Sequence, residues 1–278
     1  NVAIGLDALG AEDTGSDSIA IGRNALAAQN YDGSAYNIGI GRAAGKAVTT
    51  GTSNTIIGSL AGDSITTGSD NVAIGRSALT ASDSGSRTTA VGAYSLYSQN
   101  PTGSDYFYNV ALGYQTAYNI TTGSPNVLIG AFAGHDITTG ARNTVVGHDA
   151  LSSEDTGSRN VAIGYEALQA LNYDGDAYNV AVGYNAGHDV TTGLYNNIVG
   201  GLAGDALTTG GFNVAIGYAA LGAEDTGSRN VAIGHSALTA LNYDGAGYNI
   251  AIGYDAGKAV TTGINNVLVG GQAGDSLT

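Results

Sequence analysis

The pentapeptide Asn160-Val161-Ala162-Ile163-Gly164 recurs along the whole chain, from Asn1-Val2-Ala3-Ile4-Gly5 to Asn266-Val267-Leu268-Val269-Gly270. The copies close on Gly5, Gly22, Gly41, Gly58, Gly75, Gly92, Gly113, Gly130, Gly147, Gly164, Gly183, Gly200, Gly217, Gly234, Gly253 and Gly270, sixteen in all. Successive closing glycines lie 17 residues apart, except for three gaps of 19 and one of 21. A fixed period of this size marks a repeat architecture, in which each unit buries its core only by stacking on its neighbours. The 278 residues therefore read as one continuous array over 1–278 rather than as one or two globular domains.

Three apolar, mostly β-branched residues bounded by turn residues read as a short strand. Side chains alternate across a strand, so Val161 and Ile163 share one face and Ala162 takes the other. Both faces are apolar, which predicts burial on both sides. With Val161 and Ile163 inside the coil, Ala162 points outward. Stacking then aligns Ala3, Ala20, Ala73, Ala162, Ala181, Ala215 and Ala232 into a small, uncharged stripe, interrupted by Ile56, Leu128, Val145, Ile198 and Leu268. On that assignment copies of the chain meet along the stripe, most simply three about one axis that the bulky residues plug. The opposite assignment turns Ala162 inward against the Ala-Leu segment of its own rung and leaves a monomer. The closing glycine is a corner, where φ > 0 or close backbone approach has no steric cost. No copy has the strand–GxGxxG–helix context of a nucleotide site.

The rungs follow a cycle of four, giving super-repeats over about 1–70, 71–142, 143–212 and 213–278. Three residues past the corner glycine stands Ala in all rungs but two, where Ser95 and Thr116 replace it. The next residue is Leu in the first two rung types and usually Gly in the others. Where it is Gly, an apolar residue follows three positions on, as at Val48, Ile65, Val190 and Leu207. One core slot is thus filled from two places, which keeps core volume constant. The Ala167–Leu171 string has the content for a turn of helix but is too short to be stable alone. Asn100-Pro101-Thr102-Gly103-Ser104-Asp105-Tyr106-Phe107 replaces the usual turn of its rung and predicts a surface bulge. The fold expected is all-β, a parallel β-solenoid of about 16 rungs with 17–21 residues each.

Charge narrows the partners. With 23 acidic and 9 basic residues the net charge is −14, which argues against nucleic acid and anionic membrane, since both call for basic patches. No apolar run approaches the ~18 residues of a membrane span, so no membrane insertion is expected of this segment. The absence of cysteine rules out a disulfide framework or a thiolate metal site. The chain does not begin with Met, and it reads as a mature segment or an excerpt of something longer.

The string Asn-Val-Ala-Ile-Gly-x-x-Ala, at Asn71–Ala78, Asn160–Ala167, Asn213–Ala220 and Asn230–Ala237, resembles the head repeats of YadA-like trimeric autotransporter adhesins. Similar repeats, together with Ala-Gly-x-x-x-Thr-Thr-Gly strings, occur in phage tail fibres and bacterial surface fibres. The resemblance covers the whole chain. It implies a left-handed parallel β-roll, three chains about one axis, and an extracellular, cell-surface or virion fibre with an adhesive role toward a glycan or protein receptor.

The candidate sites are few. His135, His148, His188 and His235 read as exposed polar residues. The acidic turns Glu12-Asp13, Glu154-Asp155 and Glu224-Asp225, and the Asn-Tyr-Asp-Gly turns at Asn30, Asn172 and Asn242, have the oxygen ligands that suit Ca²⁺. They lack the Gly-Gly-x-Gly-x-Asp nonapeptide of calcium β-rolls and read as solvated turns. Carboxylates that repeat with the rungs do not form the isolated pair of a glycosidase, so no catalytic residue, cofactor or enzymatic activity is expected. Thr-Thr-Gly turns occur in only half the rungs, which breaks any threonine ladder facing ice. Tyr31, Tyr36, Tyr108, Tyr173, Tyr178, Tyr243 and Tyr248 recur around the longest turns and form a candidate glycan or partner surface; the competing reading is that they cover the extra loop. A glycan- or calcium-binding module is therefore the alternative to a fibre. On the fibre reading no divalent ion supports the fold, so excess chelator should leave the melting temperature within a few degrees, and a large drop would establish the calcium reading instead.

Overall fold

The computed structural model describes residues 1–100 and 106–278; residues 101–105, the middle of the bulge expected at Asn100–Phe107, lie outside the described residues. Among these there are sixteen strands and no helix. The chain divides into two compact units, Asn1–Thr139 and Gly140–Thr278. The first holds Val2–Ile4, Ile19–Ile21, Ile38–Ile40, Thr55–Ile57, Val72–Ile74, Thr89–Val91, Val110–Leu112 and Val127–Ile129 (β1–β8). The second holds Thr144–Val146, Val161–Ile163, Val180–Val182, Asn197–Val199, Val214–Ile216, Val231–Ile233, Ile250–Ile252 and Val267–Val269 (β9–β16). Within each unit every strand pairs in parallel with the next, as Ala3 with Ala20 and Ala162 with Ala181. Each unit is thus a parallel β-solenoid, and the two extra residues of the longer rungs are absorbed outside the strands, since Val161 still pairs with Val180.

The corner glycines all have φ between 127° and 143°. A Cβ on Gly41 would stand 2.5 Å from the carbonyl oxygen of Gly58, the corner of the next rung. Both requirements, positive φ and backbone contact, exclude a side chain. After the corner the chain takes left-handed φ at non-glycine residues too. In one rung these are Glu166 (52°), Leu168 (51°) and Tyr178 (53°). That geometry breaks helical φ within Ala167–Leu171, so no helical turn forms there.

The strand faces are the reverse of the first assignment. Ala20, Ala73, Ala162, Ala181, Ala215 and Ala232 are fully buried, as are Ile56, Leu128, Val145 and Ile198, whereas Val161 and Ile163 look outward and are only half-buried. The alanine stripe is core, and the bulky residues plug no axis between chains. Their role is volume. A Cβ on Gly45 would meet Ile56 Cδ1 at 2.8 Å, Leu26 Cδ2 at 2.8 Å and Val48 Cγ2 at 3.3 Å. A Cβ on Gly187 would meet Ile198 Cδ1 at 2.9 Å and Val190 Cγ2 at 3.4 Å. These rungs with Gly at this position fill the shared slot with Val48 or Val190, helped by the large central strand residue of the following rung, Ile56 or Ile198. Rungs with Leu pair it with a central Ala, as Leu168 with Ala162, except that Leu151 stands with Val145. The backbone is the same in both, since Gly45 and Leu26 have φ of 58° and 48°. The leucine rungs accept left-handed strain to fill the core; the glycine rungs avoid it.

Between Asn37 and Asn249 the asparagine that opens the pentapeptide, where present, is buried, and in most of these rungs it ties three rungs' polar groups together. Asn196 Nδ2 donates to Gly210 O (2.9 Å), its own N–H donates to Asn179 Oδ1 (2.9 Å), and its Oδ1 accepts from Asn213 N–H (3.0 Å). The same pattern runs through Asn37, Asn54 and Asn71. Two rungs in the first unit lack the asparagine, at Ser18 and Thr88, and there Gln29 and Gln99 occupy the core slot that holds Leu171 and Leu241 elsewhere. Gln99 Nε2 donates to Thr88 Oγ1 (3.1 Å) and its Oε1 accepts from Asn109 Nδ2 (3.0 Å), so the ladder continues through the glutamine. Gln29 does the same between Ser18 and Asn37. Gln99→Leu alone strands buried polar atoms and should cost about 1–3 kcal/mol. Thr88→Asn with Gln99→Leu reproduces the Asn160/Leu171 rung and should recover most of that loss. A denaturant-unfolding double-mutant cycle should give a coupling of about 1–3 kcal/mol, and additive effects would refute the exchange.

Candidate functional site

The reversal of faces makes the strand surface the principal external feature. Each unit presents two columns of eight outward residues, the first and third of every strand. The third-residue columns are Ile, Val or Leu throughout, and the first-residue columns are broken only by Thr55, Thr89, Thr144 and Asn197. Neither carries a charge. Ile216 and Ile252 are 39% and 38% exposed, far more than core residues.

Aromatic columns run on either side of these strands in sequence. At the residue after the corner glycine, His148, Tyr165 and Tyr184 stack with centroids 5.6 Å apart, and His235 is stacked between Tyr218 and Tyr254 at 5.3 Å from each. At the residue before the asparagine, Tyr178, Tyr195 and Phe212 stack at 5.4 and 4.9 Å. The rung spacing of a parallel sheet, about 4.8 Å, sets these distances. The first unit has a further cluster in which Tyr97 lies flat on Tyr118 (4.9 Å) and Tyr118 on His135 (5.4 Å). Of the seven tyrosines singled out from the sequence, Tyr36, Tyr108, Tyr178 and Tyr248 stand before their asparagines and are exposed. Tyr31, Tyr173 and Tyr243 sit apart in the long turns, half-buried; the Tyr31 and Tyr243 rings lie against Gly33 and Gly245. Tyr195 has Tyr178 on one face and Phe212 on the other, so a sugar would reach its edge and not its π face. The remaining ladder members were legible only through their constant offset from the corner glycine, which identifies a column once the rungs are stacked.

Two carboxylates read as solvated turns are core residues. Glu154 and Glu224 are fully buried, because they occupy the inward slot that holds Val190 or Leu207 in other rungs. Glu154 Oε1 accepts from Gly157 N–H (2.7 Å) and Asp155 N–H (3.0 Å), and Oε2 from Tyr173 N–H (3.3 Å). Glu224 Oε1 accepts from Gly227 N–H (2.8 Å), while its Oε2 is buried without a partner. Glu12 is the half-exposed member of the set, and Gln29 Nε2 donates to its second oxygen (2.9 Å). Burial pushes the Glu154 and Glu224 carboxyls up to about 7 despite the backbone donors, which favour the charged form. The partner turn residues stay at the surface: Thr156 Oγ1 donates to Asp174 Oδ1 and Thr226 Oγ1 to Asp244 Oδ1, both at 2.7 Å. Among the described residues no three His, Asp or Glu side chains are grouped to hold a metal ion, and no helix is long and apolar enough to cross a membrane. His135 and His188 instead contact the neighbouring Asp136 and Asp189, at 2.7 and 2.6 Å.

The raised glutamate pKa values fix a pH dependence. Below the unfolded value of about 4.5 both states are protonated. Between there and about 7 the folded state holds protons that the unfolded state has lost, so stability falls as pH rises through that window and is flat above it. Asp63 and Asp205, also pushed up by burial, act in the same direction. Each glutamate should contribute at most about 3 kcal/mol. Melting temperature should be higher near pH 5 than near pH 8, and Glu154→Gln with Glu224→Gln should flatten the difference. An unchanged slope in that double variant would show that the two glutamates do not carry it.

No protein-family model, curated protein or solved structure matches this chain.

Proposed function

We propose that the chain is a structural segment of an extracellular or virion fibre, non-catalytic and adhesive in role, assembled as a homo-oligomer through its outward strand face. The observation that carries this reading is that face itself: two uncharged, mostly β-branched columns per unit in a chain with 32 charged residues (23 acidic plus 9 basic). A contiguous apolar surface of this extent is costly to leave in water and marks an interaction site. Val and Ile held by a parallel sheet are also rigid, so little side-chain entropy is lost when the face is covered.

A trimer about an axis along the stacked rungs suits the geometry. Cyclic symmetry brings each rung to the same rung of its neighbours at one height, so the apolar columns meet apolar columns. The likeness of the Asn-Val-Ala-Ile-Gly strings to trimeric adhesin heads and tail-fibre repeats supports the same arrangement, and with it a surface or virion location.

Light scattering on the isolated chain should give three times the mass of one chain at micromolar concentration. Ile216→Asp with Ile252→Asp places charges on the exposed strand face and should reduce that mass to a single chain while leaving the strand circular dichroism intact. Ala162→Asp, by contrast, should unfold its rung, because Ala162 is core. A monomeric parent with an intact strand spectrum would sink the assembly.

A further inference from the structure

Three arginines stand at the residue before the asparagine position, which Thr88 fills after Arg87, with aromatic neighbours on adjacent rungs, and they are not equivalent. Arg87 reaches the carboxylate of Asp70 on the preceding rung (3.8 Å) and donates to Tyr108 Oη on the following one (2.8 Å). Arg159 pairs with Asp176 on the following rung (3.2 Å) and donates to Tyr178 Oη. Arg229 has neither carboxylate. The residue matching Asp70 is Phe212, and the residue matching Asp176 is Ala246, as the bridges Ser158 to Asp176 and Ser228 to Ala246 fix. Its guanidinium lies between the rings of Phe212 (5.5 Å) and Tyr248 (5.6 Å). No ion pair or side-chain hydrogen bond engages it among the described residues.

This uncompensated cation borders an open cavity of about 230 Å³. Thr192, Thr209 and Ser228 line it with hydroxyls, and Leu194 and Phe212 form its apolar wall. In each Thr-Thr pair the first hydroxyl is already used, as Thr191 Oγ1 donates to Thr208 O and Thr208 Oγ1 to Asp225 O. The second hydroxyls, of Thr192 and Thr209, make no hydrogen bond among the described residues and stand exposed. Ser228 Oγ accepts from Gly211 N–H (3.1 Å) and keeps its proton to donate. Gly211 opens the floor, because a Cβ there would stand 2.9 Å from Leu194 O. The cavity is smaller than the ~300–1,000 Å³ of drug-sized sites, which suits a single ring.

We infer that this groove binds a small hydroxylated carboxylate, of the class of a uronic acid, whose carboxylate supplies to Arg229 the negative charge that Asp70 and Asp176 supply to Arg87 and Arg159. The guanidinium fork is preorganised by the two rings, and it matches a carboxylate in two parallel hydrogen bonds. The three hydroxyls meet the sugar's hydroxyls, and Leu194 with the Phe212 edge meets its C–H surface. In a chain of net charge −14 the attraction is local to this guanidinium, so it weakens with salt. The site does not depend on assembly of the fibre, since all its residues belong to one chain.

The test is a titration of the whole chain with D-glucuronate, D-glucose and acetate, followed by NMR of the Arg229 Nε–H and the Thr192 and Thr209 methyl groups. Glucuronate should shift these signals saturably, glucose should not, and acetate should bind about tenfold more weakly or worse. Arg229→Gln should lose glucuronate binding by about tenfold or more, and Arg159→Gln should leave it unchanged. Ala246→Asp keeps Arg229 but restores the internal carboxylate of the third super-repeat, and it should block the site while the melting temperature holds. Glucuronate binding that survives Ala246→Asp, or that glucose matches, would overturn the assignment; acetate binding as tightly as glucuronate would overturn the sugar part of it.

Discussion

A coil whose strands are only three residues long leaves most of each rung's peptide groups outside any strand, and every buried one must still find a partner. The buried asparagine column meets that requirement. One amide accepts the N–H that starts the next strand and donates to the glycine carbonyl that ends its own rung's turn, as Asn54 does with Asn71 and Gly68. Most rungs are thereby fastened at the place where the chain passes from turn to strand; in two longer rungs Asn160 Nδ2 turns instead to Ser158 O (3.3 Å) and Asn230 Nδ2 has no partner. The two rungs without the asparagine confirm how tightly the site is specified. Ser18 and Thr88 are followed by Gln29 and Gln99, the amide arriving from another position of the same rung.

Around that column the core is held at constant volume by two solutions on one backbone. Leu168 takes a left-handed φ and fills the interior from after the corner; Gly187 takes the same φ without strain and leaves the space to Val190 and Ile198. Both solutions turn the central strand residue inward. The flanking Val and Ile residues are therefore driven to the outside, where sheet packing within the chain no longer covers them. The apolar outer face is a consequence of how the interior is filled, and it is the face on which the proposed assembly rests.

The polar interior and the polar surface follow from the same columns. Glu154 and Glu224 stand in a slot built for Val or Leu, and burial raises their pKa values to about 7. Outside, rings fall at the spacing of the rungs and stack on one another, so their faces are spent on the ladder. Where an arginine enters such a column, its neighbours on adjacent rungs decide whether its charge is answered. Arg87 and Arg159 find carboxylates, and Arg229 finds only rings.

The sequence by itself determined the repeat, the strand in each rung, the corner glycines and the exchange of Leu for Gly in one core slot. These are local or periodic facts: an apolar triplet, a residue that must have no Cβ, a volume shared between two nearby positions. It did not determine which face of the triplet is inside, because both faces are apolar and alternation alone is symmetric between them. Nor did it reveal that Glu154 is buried, that Tyr195 lies between two rings, or that Arg229 lacks the carboxylate that Arg159 has. Those depend on which residues of different rungs share a column, and insertions of two residues between rungs hide that match until the strands are paired. The tertiary structure decided them because burial and charge compensation are properties of the stack, fixed by the register Val161 to Val180 and its equivalents.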